Sequence, residues 1–413
     1  MNILMISAPF PYPPTLGGTE VRTFHLLKYL CQRHNVTLAT LRGQSTSDED
    51  VAALGALLGG SGRLQVFPRP FQQDAGSSLL DKARRFGAFL VTGTPPHTRA
   101  WHVPAMQSWL DDFLAANRVD ALTCEHSINE IYVRPEYRQR CRTYADVHSS
   151  VYWSRRHLVE SGVSENRLRD WLSLPLLRRY ERRYCSKFTA LIVTTDDDRE
   201  KLERIAADQP IYVVSNGVDL QSFTFRAKDP GGHRLIFTGA MDVQANIDAA
   251  RFLALAVMPG LRERYPDAQL SIVGARPAPA VAELGSQPGL EVTGGVDSMC
   301  RHLHRATVCV LPLRTGLGIK NKTLEAMAAG TPVVGSRCAL EGLPVDESGQ
   351  SPAALRAEEA GEIIEAVSRL FETPGLRQQT SKAARTLVER GYSWEQAGRA
   401  YEKVLASART AHR

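Results

Sequence analysis

The sequence predicts an α/β protein made of two doubly wound domains, each with a parallel sheet covered by helices. Short β-branched apolar runs alternate with amphipathic helical stretches through both halves, as expected for buried parallel strands joined by helices. The length of 413 residues exceeds one ordinary core and indicates two domains. Near Val214 the pattern restarts, because a new strand series follows a turn-rich linker at 223–234.

The N-terminal domain is predicted to cover residues 1–222. Its helix at Thr19–Arg33 has apolar residues at helical spacing, and LGALLGGSG (54–62) fits a helix with a glycine exit. The Pro-, Thr- and His-rich stretch at 92–104 is typical of a loop. The predicted strands lie at Asn2–Ser7, Asn35–Leu41, Ala121–Cys124, Thr143–Val147 and Ala190–Thr194.

The C-terminal domain is predicted to cover residues 223–392, followed by a helical segment at 393–413. IYVVSNGVDL (211–220) is a strand that runs into an Asn-Gly turn, and Asp248–Tyr265 is the clearest helix. The crevice between two such domains is the expected ligand site. Further strands are predicted at 235–240, 269–274, 290–295, 307–313 and 331–336.

Composition excludes several classes of protein. No run of 18 apolar residues predicts a membrane-spanning helix, and the start MNILMISAPF fits a strand rather than a signal peptide. The seven cysteines are scattered, odd in number and form no CxxC pair, which favours a reduced, cytoplasmic setting over a zinc or disulfide framework.

The net charge of +6 is concentrated between Arg134 and Lys187, where 13 Lys and Arg face 6 Asp and Glu. This block is either a solvated helical face or a surface for an anionic acceptor or anionic lipid headgroups. Aromatic residues do not interleave with its basic residues, which argues against nucleic acid as a partner.

A glycine turn and two lysines begin a helix predicted at Asn321–Ala329. In doubly wound sheets, helix N-termini at the carboxyl ends of strands bind anions. Gly316 and Gly318 allow close backbone approach, and Lys320 and Lys322 add positive charge, so this turn predicts a phosphate or nucleotide diphosphate site. The alternative for the lysines is ordinary surface charge.

Glu325 lies one turn into the same helix. It either complements the helix dipole or accepts hydrogen bonds from a ribose diol. On the N-terminal side, Gly17 and Gly18 open the first helix and either form an ordinary turn or approach a ligand. His126 and His148 each follow a predicted strand, where a structural role and a functional one are both open, and at least one of the pair is expected in the site.

The acidic run TTDDDRE (194–200) is compatible with a metal site, but it follows a strand and opens a helix. We therefore interpret its acids as capping and first-turn residues and expect no metal there.

Five stretches taken together resemble glycosyltransferase family 4, in the right order and over nearly the whole chain. The resemblance implies a GT-B fold, sugar transfer from a nucleotide-activated donor with retention at the anomeric carbon, no required metal and no cofactor. It also implies a C-terminal helix, here Ser393–Ser407, that crosses back to the first domain. The stretches are GGTEVRTFHLLKYL (17–30), SNGVDLQSF (215–223), FTGAMDVQANIDAARFL (237–253), LSIVGARP (270–277) and LEAMAAGTPVVGS (324–336).

The GIKNKTLEAMA and GAMD variants are most similar to sugar transferases associated with exosortase-type exopolysaccharide loci. The residue pattern and the resemblance together give the expected site residues. Those expected to act in catalysis are His126, Asp146, His148 and Lys322. Those expected to bind the donor are Gly17, Gly18, Gly239, Gly274, Gly294, Arg314, Gly316, Leu317, Gly318, Lys320, Asn321 and Glu325.

The chain departs from the family at three places. Leu317 stands where a glutamate usually contacts the donor sugar, although the backbone amides of the turn remain available. Ala240 and Ala245 stand where an Arg and a Lys usually hold the donor diphosphate. We expect Lys320 and Lys322 to replace those charges, with Arg314 as a third candidate.

The predicted activity is transfer of a sugar, of the hexosyl type, from a nucleotide-diphosphate donor to a hydroxyl of a glycan, polyprenyl-linked or small-molecule acceptor. A role in cell-surface polysaccharide synthesis and peripheral association with the cytoplasmic membrane through 134–187 are expected. Two alternatives remain. One is a sugar-nucleotide epimerase, disfavoured by a crevice poor in acids, and the other is a non-catalytic scaffold.

Overall fold

A computed structural model describes residues 1–14, 17–60, 63–69, 87–162, 164, 166–346 and 351–407. The strands within these residues form two sheets in which every pairing is parallel, so the predicted α/β class is confirmed. The chain divides into two compact units. The first comprises Met1–Arg156, Asn166–Val214 and Gly398–Arg413, and the second comprises His157–Glu165 and Ser215–Ala397.

The first unit contains seven strands and seven α-helices among its described residues. The strands are β1 (Asn2–Ser7), β2 (Asn35–Arg42), β3 (Leu64–Pro68), β4 (Ala121–Glu125), β5 (Arg142–His148), β6 (Ala190–Val193) and β7 (Ile211–Val213). The helices are α1 (Gly18–Cys31), α2 (Asp48–Leu57), α3 (Pro96–Arg99), α4 (Pro104–Ala116), α5 (Val151–Glu160), α6 (Arg167–Cys185) and α7 (Asp196–Glu203). The residues of α5 from His157 onward belong to the second unit. The sheet order is β3-β2-β1-β4-β5-β6-β7.

The central strands of this sheet are buried on both faces. Ile3, Leu4, Met5 and Ile6 of β1 are all fully buried, which explains their unbroken apolar run. Helix α2 begins earlier than the predicted 54–62, because a capping box between Ser47 and Asp50 starts it there. Positions 61–62 of that prediction lie outside the described residues, and the predicted loop at 92–104 contains the single turn of α3.

The second unit repeats this plan with six strands. They are β8 (Arg234–Thr238), β9 (Gln269–Val273), β10 (Leu290–Gly294), β11 (Val308–Leu311), β12 (Val333–Gly335) and β13 (Leu355–Arg356). The helices are α8 (Gln244–Phe252), α9 (Met258–Arg264), α10 (Pro279–Ala282), α11 (Met299–Arg305), α12 (Asn321–Ala328), α13 (Ala360–Glu372), α14 (Pro374–Gly391) and α15 (Trp394–Ser407). The order β10-β9-β8-β11-β12-β13 is that of a doubly wound dinucleotide-binding sheet.

One predicted helix is divided in the structure. The stretch predicted as one helix at Asp248–Tyr265 begins at Gln244, and a π-helical segment, Leu253–Val257, separates α8 from α9. Helix α15 begins in the second unit, but its residues from Gly398 onward belong to the first. The end of the predicted segment, 408–413, lies outside the described residues. Among the described helices, none has the length and apolar character needed to cross a membrane.

Each sheet reverses its strand order at one point, between β1 and β4 in the first unit and between β8 and β11 in the second. Ligands of doubly wound sheets bind beyond the carboxyl ends of the strands at such a reversal. His126 follows β4, and the loop that leads to Gly17 follows β1. Gly239 follows β8, and the glycine turn follows β11, so both groups of predicted residues lie at these points.

Candidate functional site

In the second unit, the turn after β11 is shaped by two glycines. Gly316 has φ 122° and Gly318 has φ 75°, which are left-handed conformations that residues with a Cβ atom avoid. The turn leads to Lys320 at the N-cap of α12, so the free N–H groups of that helix lie directly after the glycines. The predicted arrangement of a glycine turn directly before a helix N-terminus is therefore present.

Lys322 extends from the first turn of α12 to the end of β8. Its Nζ donates a hydrogen bond of 2.6 Å to Asn246 Oδ1 and lies 4.9 Å from the centre of the Phe237 ring. Asn246 Nδ2 in turn donates to the Ala240 carbonyl at 2.7 Å, which fixes the orientation of the amide. A cation from α12 thus reaches the end of β8 beside Ala240.

Two predicted glycines make room for this lysine. A Cβ atom on Gly239 would lie 2.6 Å from Lys322 Nζ, and one on Gly274 would lie 1.7 Å from the Gly239 carbonyl oxygen. Any larger side chain would displace the ammonium group or the backbone of β8. These glycines therefore support the site by close packing.

Burial shifts the pKa values of two ionisable side chains of α12 toward pH 7. Desolvation lowers the pKa of Lys322 to about 8. Desolvation also raises the pKa of Glu325 to about 7, while Lys322 acts to lower it. An anion bound beside Lys322 would raise the pKa of its ammonium group again, so the site is electrostatically suited to a phosphate.

The other two predicted cations are already neutralised. Lys320 donates to the Gly318 carbonyl and lies 3.2 Å from Glu341 Oε2. Arg314 forms a bidentate ion pair with Asp248. In the described part of the chain, the ammonium of Lys322 hydrogen-bonds to a neutral amide only. The structure therefore places one of the three cations, Lys322, in a form ready for an added anion.

Three other residues predicted to bind the sugar donor have different surroundings. The Oδ1 atom of Asn321 is buried and has no hydrogen-bond partner among the described residues. Leu317 is partly exposed in the turn. Gly294 has φ 70° at an irregularity of β10, and the space where a Cβ atom would point is open. Asn321 is thus a buried acceptor that a ligand donor would satisfy.

In the first unit, the two predicted histidines both adopt strained backbone conformations. His126 has φ 76° and His148 has φ 59°, and their rings meet edge to face with centroids 5.1 Å apart. Arg276 is the one other non-glycine residue with a positive φ in the described ranges. Such strain persists where the surrounding structure enforces it, and it concentrates at functional sites.

Both imidazoles are neutral. Burial lowers the pKa of His126 to about 3, and its Nδ1 accepts a hydrogen bond from the Ile128 backbone N–H at 3.2 Å. The proton of neutral His126 therefore resides on Nε2, which acts as a donor. Burial also holds the pKa of His148 well below its usual range, and its buried Nε2 has no hydrogen-bond partner among the described residues.

Asp146 holds this pair in place through a buried ion pair. Arg22 of α1 donates to Asp146 Oδ2 at 2.7 Å and to Oδ1 at 3.2 Å, and both side chains are fully buried. The Asp146 carbonyl accepts the His126 backbone N–H at 2.9 Å. Gly17 is the N-cap of α1, and Gly18 is its first residue. Asp146 therefore connects α1 to the neighbouring ends of β4 and β5, where His126 and His148 lie.

Two residues of this cluster, Arg22 and Tyr401, were not predicted. Fully buried Tyr401 of α15 donates to Oε1 of Glu125 at 2.7 Å. Glu125 Oε2 has no hydrogen-bond partner within the described ranges. Desolvation, reinforced by Asp146, raises the pKa of Glu125 to about 8. Glu125 stands directly before His126, at the strand end where the sequence predicts a site residue.

We expect Glu125→Gln to change how stability depends on pH. The pKa of folded Glu125 lies above its ordinary value of 4.5, so the folded state holds an extra proton between pH 4.5 and about 8. The stabilisation of the folded state by protonated Glu125 is complete below pH 4.5 and is lost as the pH rises through about 8. Glutamine keeps an acceptor for Tyr401 without a charge. The variant should gain about 4 kcal/mol relative to the native protein from pH 5 to pH 8.5 in urea unfolding.

The matched control for that measurement is Glu283→Gln, since Glu283 is exposed. Its pH profile should follow that of the native protein. Parallel profiles for Glu125→Gln and Glu283→Gln would show that Glu125 ionises normally in the folded protein.

The acidic run has the structural role that the sequence predicted. Thr195 caps α7, and its Oγ1 accepts the backbone N–H of Asp198 at 3.0 Å. The Asp198 carboxylate accepts hydrogen bonds from the hydroxyls of Thr194 and Thr195. These acids serve the helix N-terminus, as expected.

Comparison with known protein families identifies both halves of the chain. Residues 16–222 match the model described as Glycosyltransferase Family 4, and residues 232–373 match the model described as Glycosyl transferases group 1. No curated sequence matches the chain significantly.

Many solved structures share the fold over the whole length. Sucrose-phosphate synthase from Thermosynechococcus elongatus is 16% identical with a TM-score of 0.74, and the match covers 100% of each chain. Anabaena HepE in complex with UDP and glucose is 13% identical with a TM-score of 0.66, covering 98% of this chain and 100% of that one. An S. aureus TarM mutant in complex with Fondaparinux, alpha-GlcNAc-glycerol and UDP is 12% identical with a TM-score of 0.67, covering 98% and 99%. The likeness confirms the expected GT-B fold.

Proposed function

The chain belongs to glycosyltransferase family 4, and from that membership we propose that it transfers a sugar from a nucleotide-diphosphate donor to an acceptor hydroxyl. The observation that carries the proposal is the ammonium of Lys322, which is desolvated, bonded to a neutral amide and placed at the strand-order reversal of the second sheet. Such a cation has an unmet requirement for negative charge.

The donor diphosphate is proposed to bind between Lys322 and the N-terminus of α12. An ammonium group has three donors, and Asn246 uses one, so two remain for phosphate oxygens. Charge develops on the departing diphosphate as the anomeric bond breaks, and the lysine with the helix N-terminus stabilises it. The complexes of HepE and TarM with UDP support this class of donor.

Glu325 is proposed to accept hydrogen bonds from the donor ribose, with Gly294 leaving space for the base. If so, 2′-deoxy-UDP should bind at least about fivefold more weakly than UDP to the native protein, since one charge-assisted hydrogen bond is lost. The difference should vanish in Glu325→Ala, as measured by calorimetry. An equal loss in both proteins would place the ribose elsewhere and leave Glu325 as a partner of the helix dipole.

On the first unit, His126 is proposed to position the acceptor or the sugar through its Nε2–H. Because Nδ1 of His126 already accepts the Ile128 backbone N–H, the free ring nitrogen acts as a donor and does not take the proton of the acceptor hydroxyl. In the retaining mechanism that we propose, the leaving phosphate oxygen takes the proton of the acceptor hydroxyl. Lys322 and the helix N-terminus supply the positive charge of this step, so the proposed reaction needs no metal.

The proposed acceptor is a polyprenyl-linked glycan at the inner face of the cytoplasmic membrane, in cell-surface or exopolysaccharide synthesis. The resemblance of the GIKNKTLEAMA stretch to transferases of exopolysaccharide loci supports this role. The concentration of basic residues in 134–187 supports the membrane setting. Positions 163 and 165 of that block lie outside the described residues.

The experiment is a calorimetric titration of the protein with UDP, GDP and ADP and their common sugar conjugates, followed by product analysis of the conjugate that binds. We expect one diphosphate to bind and its conjugate to donate sugar to a lipid-linked acceptor or slowly to water. Binding without turnover would support a scaffold, and a changed sugar nucleotide without acceptor would support an epimerase. Binding of none would overturn the proposed donor site.

A further inference from the structure

Helix α6 presents a two-part exposed face. Its buried residues, on the inner side of the helix, are Asp170, Leu177, Tyr180, Glu181, Tyr184 and Cys185. Its outward positions begin with Leu168, Trp171, Leu172 and Pro175, and they continue with Arg178, Arg179, Arg182 and Arg183, all of them exposed. The face is apolar in its first half and basic in its second.

The outward residues form one continuous stripe. At 100° per residue, all eight positions fall within an arc of about 140°, and the stripe from Leu168 to Arg182 is about 21 Å long. Trp171 is 60% exposed, Leu168 69% and Leu172 49%, which is unusual for residues of this size on one helix. Single exposed apolar residues need no explanation, but an aligned group does.

A neighbouring segment exposes further apolar side chains next to the basic half of the stripe. Leu90 is 54% exposed and Val91 88% exposed. Arg183 connects their segment to α6, donating to the carbonyls of Thr92 and Gly93 at 2.8 Å and 3.0 Å. The five large apolar side chains exposed on the described part of the first unit are therefore either on α6 or beside it.

The basic half of the stripe carries unneutralised charge. Within the described residues, Arg178, Arg179 and Arg182 form no ion pair. Arg179, Arg182 and Arg183 line a surface depression of about 310 Å³, in which Asp208 is the one acid. Guanidinium groups grouped in this way bind phosphate oxygens well.

We propose that the stripe on α6, with Leu90 and Val91, is a docking surface for an anionic lipid bilayer. The apolar half enters the boundary between headgroups and acyl chains, and the arginines contact lipid phosphates. An exposed surface that combines a Trp-containing apolar part with a group of arginines is suited to contact an anionic membrane surface. The proposal adds to the proposed function a means by which the protein reaches a membrane-anchored acceptor. It rests on the proposed function only for this biological role, and the vesicle binding itself does not depend on it.

The test measures binding to vesicles without any sugar nucleotide, so it is independent of the proposed reaction. Phosphatidylcholine vesicles are compared with vesicles containing 30% (roughly one-third) phosphatidylglycerol, by sedimentation and by tryptophan fluorescence. Of the five tryptophans, Trp171 alone is exposed, so its entry into lipid should shift the emission to shorter wavelength. The shift should be absent in Trp171→Phe.

Paired variants separate the two halves of the stripe. Trp171→Ser with Leu172→Ser should weaken binding to the anionic vesicles by about tenfold or more. Arg178→Gln with Arg182→Gln should reduce binding about fivefold per arginine and remove most of the preference for anionic lipid. The matched controls are Leu255→Ser, at an apolar residue 53% exposed on the second unit, and Arg251→Gln, also exposed there. Neither control should change binding.

Three results would overturn the proposal. Vesicle binding that does not depend on anionic lipid is one, and equal binding by the Trp171 and Leu255 variants is another. The third is a concentration-dependent dimer, seen by sedimentation velocity and abolished by the Trp171/Leu172 variant, with no vesicle binding. That result would assign the stripe to a second copy of the chain. Nucleotide binding should be unchanged in every stripe variant, which separates a failure here from a failure of the donor site.

Discussion

Lys322→Ala is expected to weaken nucleoside diphosphate binding by about tenfold or more. The ammonium lies beside Ala240 and Gly239. In the proposed site, its loss leaves the diphosphate without its nearest cation. A charge-assisted hydrogen bond in a partly desolvated site contributes about 1.5–3 kcal/mol. Calorimetric titration of the native and variant proteins with the preferred diphosphate measures the difference.

The pH dependence of that binding provides a second readout. Because desolvation places the pKa of free Lys322 at about 8, the protonated, binding form of the native protein should decline above that pH. Affinity should therefore fall from pH 7 to pH 9 in the native protein and change little in Lys322→Ala. Lys382→Ala, at an exposed lysine of α14, is the control for loss of one positive charge. Unchanged affinity in Lys322→Ala would refute the replacement of the family's cations by this residue.

Arg22→Met should destabilise the protein by about 3–5 kcal/mol. The variant leaves the Asp146 carboxylate buried without its partner, and an uncompensated charge in the interior is costly. Methionine retains most of the apolar volume of the arginine stem, so the loss reports the charge rather than a cavity. Urea unfolding at pH 7, monitored by circular dichroism, measures the change.

Two controls define the cause of that loss. The double variant Arg22→Met with Asp146→Asn removes both charges and should recover most of the stability, since neutral residues avoid the desolvation cost. Arg42→Met breaks the pair between Arg42 and Asp48, which has the same N–O separation of 2.7 Å but is exposed, and should cost less than about 1 kcal/mol. Equal losses in Arg22→Met and Arg42→Met would contradict the assigned role of the buried pair.

The order of strands and helices could be predicted from the sequence because it depends on local patterns. Apolar runs such as that of β1 are buried on both faces, and their ends lie within a few residues of the prediction. Helix ends that are set by capping were harder to predict, as the early start of α2 at its Ser47 capping box shows. The π-helical segment at Leu253–Val257 does not strongly change the spacing of apolar residues along the sequence, so that spacing could not predict it.

The candidate site was predictable where residues adjoin strand ends and not where they meet through tertiary packing. His126, His148 and Lys322 were found because each stands just after a strand or at a helix start. The contacts of Arg22 with Asp146 and of Tyr401 with Glu125 join residues far apart in sequence, and neither pattern nor spacing marks them. The ion pair between Arg314 and Asp248 was hidden for the same reason.

The sharing of α15 between the two units has a consequence for biogenesis. Tyr401, Val404 and Leu405 are buried and belong to the first unit, but the ribosome makes them only after the whole of 215–397. The nascent first unit therefore lacks part of its core, and the donor for Glu125, throughout synthesis of the second. Such late, distant contacts slow the closing step of folding and lengthen exposure of the unfinished surface to chaperones.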